Sequence, residues 1–154
     1  MKKLLSLLFC THLALLASTA AAQTSDSALL LAKMQADKKA LVEKSMNLTP
    51  AEAKKFWPLY DKFQKELDVP HREYALAVRD YVAAEKSMTD ANATRLARVV
   101  LAASVSEAKI RERQFKEVSK VLPGVKAARY MQIENKLQAV QRYETAKVIP
   151  LAAE

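Results

Sequence analysis

Glycine occurs once in this chain of 154 residues, at Gly124. Sheets are joined by tight turns, and tight turns favour glycine and asparagine, so a β architecture is excluded. Cysteine also occurs once, at Cys10. A lone thiol inside an apolar N-terminal stretch supports no disulfide, so stability has to come from packing. The histidines are His12 and His71. Zinc and copper sites draw on several His or Cys ligands, so His71 is not read as a metal ligand and no cofactor is expected. The chain has no glycine-rich phosphate loop, no nucleophile elbow and no histidine placed to activate a nucleophile. The acids are scattered among bases on helical faces. These gaps point away from an enzyme.

What is present begins at Met1-Lys2-Lys3, followed by an apolar run from Leu4 to Ala17 and small residues ending Ala20-Ala21-Ala22. A basic start, a short apolar run and an A-x-A site describe a secretory signal peptide over residues 1–22, cut after Ala22. The run is shorter than the ~20 apolar residues a membrane span needs, and His12 interrupts it. Phe9 stands where a lipoprotein needs a small residue before its cysteine. Residues 23–154 are then one all-helical exported domain, starting near Gln23. Lys2 and Lys3 leave with the leader, and the net charge falls from +8 to +6. A basic surface favours anionic partners.

Ala, Leu, Lys, Glu and Gln dominate the remainder, and the fold class is all-α: an antiparallel hairpin or bundle of three to four long helices. The first helix spans about Asp26–Met46, with Leu30, Leu31, Met34, Leu41 and Val42 on its apolar face and Lys38, Lys39 and Lys44 in solvent. The second, from Leu48 to Met88, organises the chain. Thr49 is its N-cap, Pro50 its first residue and Glu52 the return arm of a capping box. Phe56, Tyr60, Phe63, Leu67, Pro70, Tyr74, Ala77, Tyr81, Ala84 and Met88 follow at alternating steps of four and three, a heptad seam. Most of the aromatics lie in this helix, so it supplies most of the core. Pro58 and Pro70 fall inside it; the second should bend or break it and curve the bundle.

Thr89 and Asp90 open a third helix that runs to about Val121, roughly 48 Å at ~1.5 Å per residue. Leu96, Val99, Val100, Ala103, Ile110, Val118 and Val121 form its buried face. Glu107/Arg111, Glu112/Lys116 and Arg113/Glu117 read as exposed i,i+4 pairs. Leu122-Pro123-Gly124 ends it. The last helix runs from about Pro123 to Val148, with Tyr130, Ile133, Leu137 and Val140 as its seam, and Pro150 stops it.

One surface feature stands out. On the third helix Arg95, Arg98, Lys109, Arg113, Lys116 and Lys120 fall within about 60° of arc at ~100° per residue, and no acid shares that arc. Such a stripe is either a solvated face or a partner surface. Two binding readings follow. One is a binding protein for unfolded or envelope proteins. The other is an adaptor that packs on one envelope partner or on an anionic membrane surface. No specific nucleic-acid contact is implied.

Leu48-Thr49-Pro50-Ala51-Glu52 resembles the LTxxQ motif of small periplasmic proteins of Gram-negative bacteria, the Spy/CpxP class. The likeness extends to the leader, the length, the helical composition and the basic charge. Glu52 stands where the class has Gln, and Leu122-Pro123-Gly124-Val125-Lys126, near the place of the second motif, carries neither its Thr nor its Gln. The resemblance implies a curved helical hairpin, commonly a homodimer, in the periplasm. It further implies an ATP-independent chaperone or an envelope-stress accessory protein. Some members bind zinc, for which this chain lacks the ligands. The chain is also similar to a group of secreted helical proteins with Phe56-Trp57-Pro58-Leu59-Tyr60 and Gln132-Ile133-Glu134-Asn135-Lys136 motifs, which implies no activity.

Overall fold

The computed structural model describes residue 33, residues 36–147 and residues 149–151. The stretch read as a signal peptide, residues 1–22, and Leu30, Leu31 and Met34 lie outside the described residues. All regular structure among those residues is helical, with no strand. The chain divides into two compact units, Met1–Ser45 and Met46–Glu154.

In the first unit residues 36–45 are helical, Leu41 is exposed and Val42 is buried. This helix, α1 (residues 36–46), ends where Asn47 takes a φ of 46°. That left-handed conformation suits Asn far better than most residues, because its short amide tolerates it. The lone Gly124 is not used this way; its φ is not positive, and it opens a helix instead.

The second unit is built on α2 (Pro50–Ala84). Thr49 caps it: the side chain accepts from Glu52 N at 3.3 Å, and the Glu52 carboxylate accepts from Thr49 N at 2.8 Å. Both arms of the capping box are therefore made. Phe56, Tyr60, Phe63, Leu67, Pro70 and Ala77 are buried, and the other seam positions down to Met88 are half-buried. Each large apolar side chain removed from water contributes roughly 1.5–3 kcal/mol, so this row supplies much of the driving force. The helix passes both prolines without a break. Pro70 is itself buried in the seam, where packing compensates the lost N–H.

A short 3₁₀ turn, Glu85–Ser87, leads to α3 (Asp90–Val118), capped by Thr89, whose hydroxyl accepts from Asn92 N. Its 29 residues span roughly 43 Å. Gln114 donates to Leu59 O, Arg113 pairs with Glu66, and Glu107 faces His71. Residue numbers fall on one helix as they rise on the other, so α2 and α3 form an antiparallel hairpin.

The last helix, α4 (Gly124–Ala146), turns back along α3: Arg111 meets Asn135, and Glu107 meets Arg142. It therefore runs parallel to α2, yet no α-carbon of α4 comes within 8 Å of one in α2. Long side chains bridge the gap. Tyr130, fully buried, makes edge-on contacts with Phe56 at 5.0 Å and Phe63 at 6.3 Å. The α4 seam differs from the expected one. Ala127, Tyr130 and Glu134 are buried, Ile133 and Leu137 are half-buried, and Val140 is exposed. The helix is rotated so that a carboxylate, not an aliphatic row, faces inward. Beyond α4, Pro150 O accepts from the Tyr81 hydroxyl at 3.0 Å.

Candidate binding face and polar hub

All six residues of the basic stripe are exposed, five on α3 and Lys120 in the turn just beyond it. They differ in what they touch. Arg113 pairs with Glu66 of α2 at 2.8 Å, Lys116 with Glu112 at 2.6 Å and Lys120 with Glu117 at 2.7 Å. Arg113 thus takes a partner across the hairpin rather than Glu117, while the Glu112/Lys116 pair forms as its spacing implies. The hydrogen bond from Lys116 lowers the Glu112 pKa, and the bond from Lys120 lowers that of Glu117. The C-terminal half of the stripe is neutralised by its neighbours.

The N-terminal half is not. Arg95 reaches only the neutral Asn92 side chain, and Arg98 and Lys109 have no ion-pair partner among the described residues. Between them stand Leu101, 65% exposed, and Val105, 54% exposed. Arg98, Ala102, Val105 and Lys109 lie at steps of four, three and four, so they share one strip of the helix surface. No acid occurs from residue 91 to residue 106. An open hollow of about 540 Å³ adjoins the strip, lined by Arg95, Arg98, Asp90, Ala91, Thr94 and Val99. The sequence pattern finds the cations. It misses the pairing of Arg113, because Glu66 belongs to another helix.

On the opposite side of α3, Glu107 is buried at 6% exposure. The exposed Glu107/Arg111 pair expected from the spacing is in fact interior, because residue 107 faces both α2 and α4. Arg111 donates to Glu107 Oε1 through Nε at 3.2 Å and Nη2 at 3.0 Å. Gln138 donates to the same oxygen, and His71 Nε2 lies 3.5 Å from it. Arg142 Nη2 donates to Oε2 at 3.0 Å. Burial works to raise the Glu107 pKa, but the bonds from His71, Arg111 and Arg142 and the charge of Arg111 outweigh it and hold the group at about 2. The signal for this hub was the acid in the core-facing register between Ala103 and Ile110.

Towards the other end of the bundle, Glu134 accepts from Gln64 at 3.3 Å. The Tyr130 hydroxyl is buried near Gln114 and Glu134 without a well-formed hydrogen bond. Burial, then the charge of Glu134, raises the pKa of both Tyr130 and Tyr60. The motif residues Leu48, Thr49, Pro50 and Glu52 are placed as structural parts. Lys126 of α4 donates to Glu52 Oε2 at 2.6 Å and to Asn47 O at 3.1 Å. The hydrogen bond from Lys126, then that from the Thr49 backbone, lowers the Glu52 pKa. Glu in place of Gln thus gains a cation from α4 while keeping the cap.

No group of three or more His, Cys, Asp or Glu side chains that could hold a metal ion occurs among the described residues. No helix among them is long and apolar enough to cross a membrane. Compared with known proteins, the chain matches no family model, no curated protein and no solved structure.

Proposed function

We propose that this chain is a periplasmic, non-enzymatic binding protein of chaperone-like or envelope-stress accessory type, related to the LTxxQ class. It holds polypeptide on the N-terminal half of α3. One observation carries the reading: among the described residues Arg95, Arg98 and Lys109 have no acidic partner and stand beside the exposed Leu101 and Val105, whereas Arg113, Lys116 and Lys120 are paired. A strip with exposed apolar side chains and unpaired cations fits segments that mix apolar and acidic residues, as unfolded envelope proteins do. The rival occupant is an anionic membrane surface. Residues 90–106 carry no aromatic side chain to anchor in the headgroup region, and this favours polypeptide.

The test is suppression of aggregation of an unfolding acidic client, measured beside sedimentation with anionic vesicles. Suppression should fall as salt rises, because the Debye length shrinks from ~10 Å at 0.1 M to ~3 Å at 1 M. Arg98→Glu with Lys109→Glu should abolish it, and Leu101→Ser should weaken it. Vesicle binding without suppression would replace this reading with the membrane one. A single tight partner and no general suppression would make the protein an adaptor.

A further inference from the structure

A cleft of about 130 Å³ opens beside the Glu107 hub, where α2, α3 and α4 meet. Its mouth is flanked by His71 and Arg142, with side chains 40% and 55% exposed, and Pro70 and Ala103 supply apolar wall. We infer that this cleft binds a small carboxylate between His71 and Arg142.

An ionised carboxylate offers about four acceptor sites. Five N–H groups crowd Glu107: two from Arg111 and one each from Gln138, His71 and Arg142. His71, at 3.5 Å, is the loosest. Arg142 commits a single N–H to Glu107, and its others have no partner among the described residues. The cluster has donors to spare on its solvent side.

Among the described residues Glu107 is the only acid lining the cleft, and two guanidiniums converge on it. Two guanidiniums against one carboxylate leave a net positive charge inside a concave, partly apolar site. A second carboxylate would accept from the free edge of Arg142, the fork-to-carboxylate match that arginine makes best, and His71 would exchange its loose 3.5 Å contact with Glu107 for one with the ligand. The space holds several waters, and so an acetate-sized group. The site lies on the opposite side of α3 from Arg98 and Lys109 and stands independently of the function proposed for that strip.

The experiment titrates the exported protein with acetate and follows the His71 ring resonances by NMR. A saturating shift in the millimolar range is expected. Arg142→Gln should weaken it at least about tenfold, and Arg142→Lys, which keeps the charge without the planar fork, should fall between. Arg98→Glu should leave it unchanged, and melts confirm that each variant folds. A shift linear in acetate, one unaltered by Arg142→Gln, or an equal response to chloride would overturn the assignment. A short peptide with a free C-terminus, compared with its C-terminal amide, identifies the source. Tighter binding of the free acid points to a chain end, and equal weakness of both beside acetate points to a free organic acid.

Discussion

Replacing Glu107 by Gln removes the one negative charge from a hub of cations while keeping the side chain's shape. Arg111, whose side chain is 12% exposed, would be left with no acid to face. Breaking a buried pair in this way costs about 3–5 kcal/mol. A second route to the magnitude uses the titration. The Glu107 pKa falls from 4.5 in an unfolded chain to about 2. At ~1.4 kcal/mol per pH unit that gap corresponds to roughly 3 kcal/mol. Arg142 and His71 stand partly in solvent, and water screens their share, so about 2–3 kcal/mol is expected at neutral pH.

The sign follows from the depressed pKa. The contribution is complete above 4.5 and is lost as pH falls through about 2. At pH 3 the unscreened figure has already dropped to roughly 1 kcal/mol. Urea melts of wild type and Glu107→Gln should therefore differ by about 2–3 kcal/mol at pH 7 and by less than half as much at pH 3. A difference that stays the same at both pH values would show that packing, not charge, makes residue 107 matter. The double replacement Glu107→Leu with Arg111→Leu should recover much of the loss, since apolar substitutes for a buried ion pair are often neutral.

Phe63→Ala should cost about 3–5 kcal/mol because the ring is buried against Tyr130. Thr49→Ala should cost about 1 kcal/mol through the lost cap, and denaturant melts that reversed this order would mean the α2 seam is wrongly placed. Tyr130→Phe should leave stability within about 1 kcal/mol of wild type or raise it, since the hydroxyl is buried without a hydrogen bond. A large loss would reveal a partner for that oxygen. Arg113→Glu with Lys116→Glu should reduce client binding less than Arg98→Glu with Lys109→Glu, because the first two cations are already paired. The opposite ranking would move the binding strip towards the C-terminal end of α3. A chelator should leave the thermal melt unchanged, and micromolar zinc affinity at His71 would overturn that. N-terminal sequencing of the exported protein should begin near Gln23.

The parts of the fold that sequence made legible are those written in apolar side chains. The α2 seam, both threonine caps and the hairpin with α3 follow from heptad spacing and cap chemistry, and the structure has them. The hub and the α4 orientation were harder to read because they are written in polar side chains. Glu107 and Gln114 sit seven residues apart on the buried face of α3, and Glu134 occupies the matching face of α4. A search for apolar periodicity skips such positions, and the eye then completes the seam with Val140, which the structure leaves in solvent. These polar residues also explain why α4 stands off from α2. Apolar ridges pack helices at interaxial distances of ~8–10 Å. Lys126 and Glu134 reach α2, Gln138 and Arg142 reach Glu107 of α3, and each must keep its polar end paired, so with Tyr130 filling the gap α4 stands off α2 instead of interlocking with it. The pairs they make are specific in register: Lys126 with Glu52, Glu134 with Gln64, and Arg142 with Glu107. Sliding α4 by one turn would break all three and leave Glu107 and Glu134 short of these partners in the interior. An apolar seam alone would resist that slide weakly, and the polar contacts give α4 its fixed place on the hairpin.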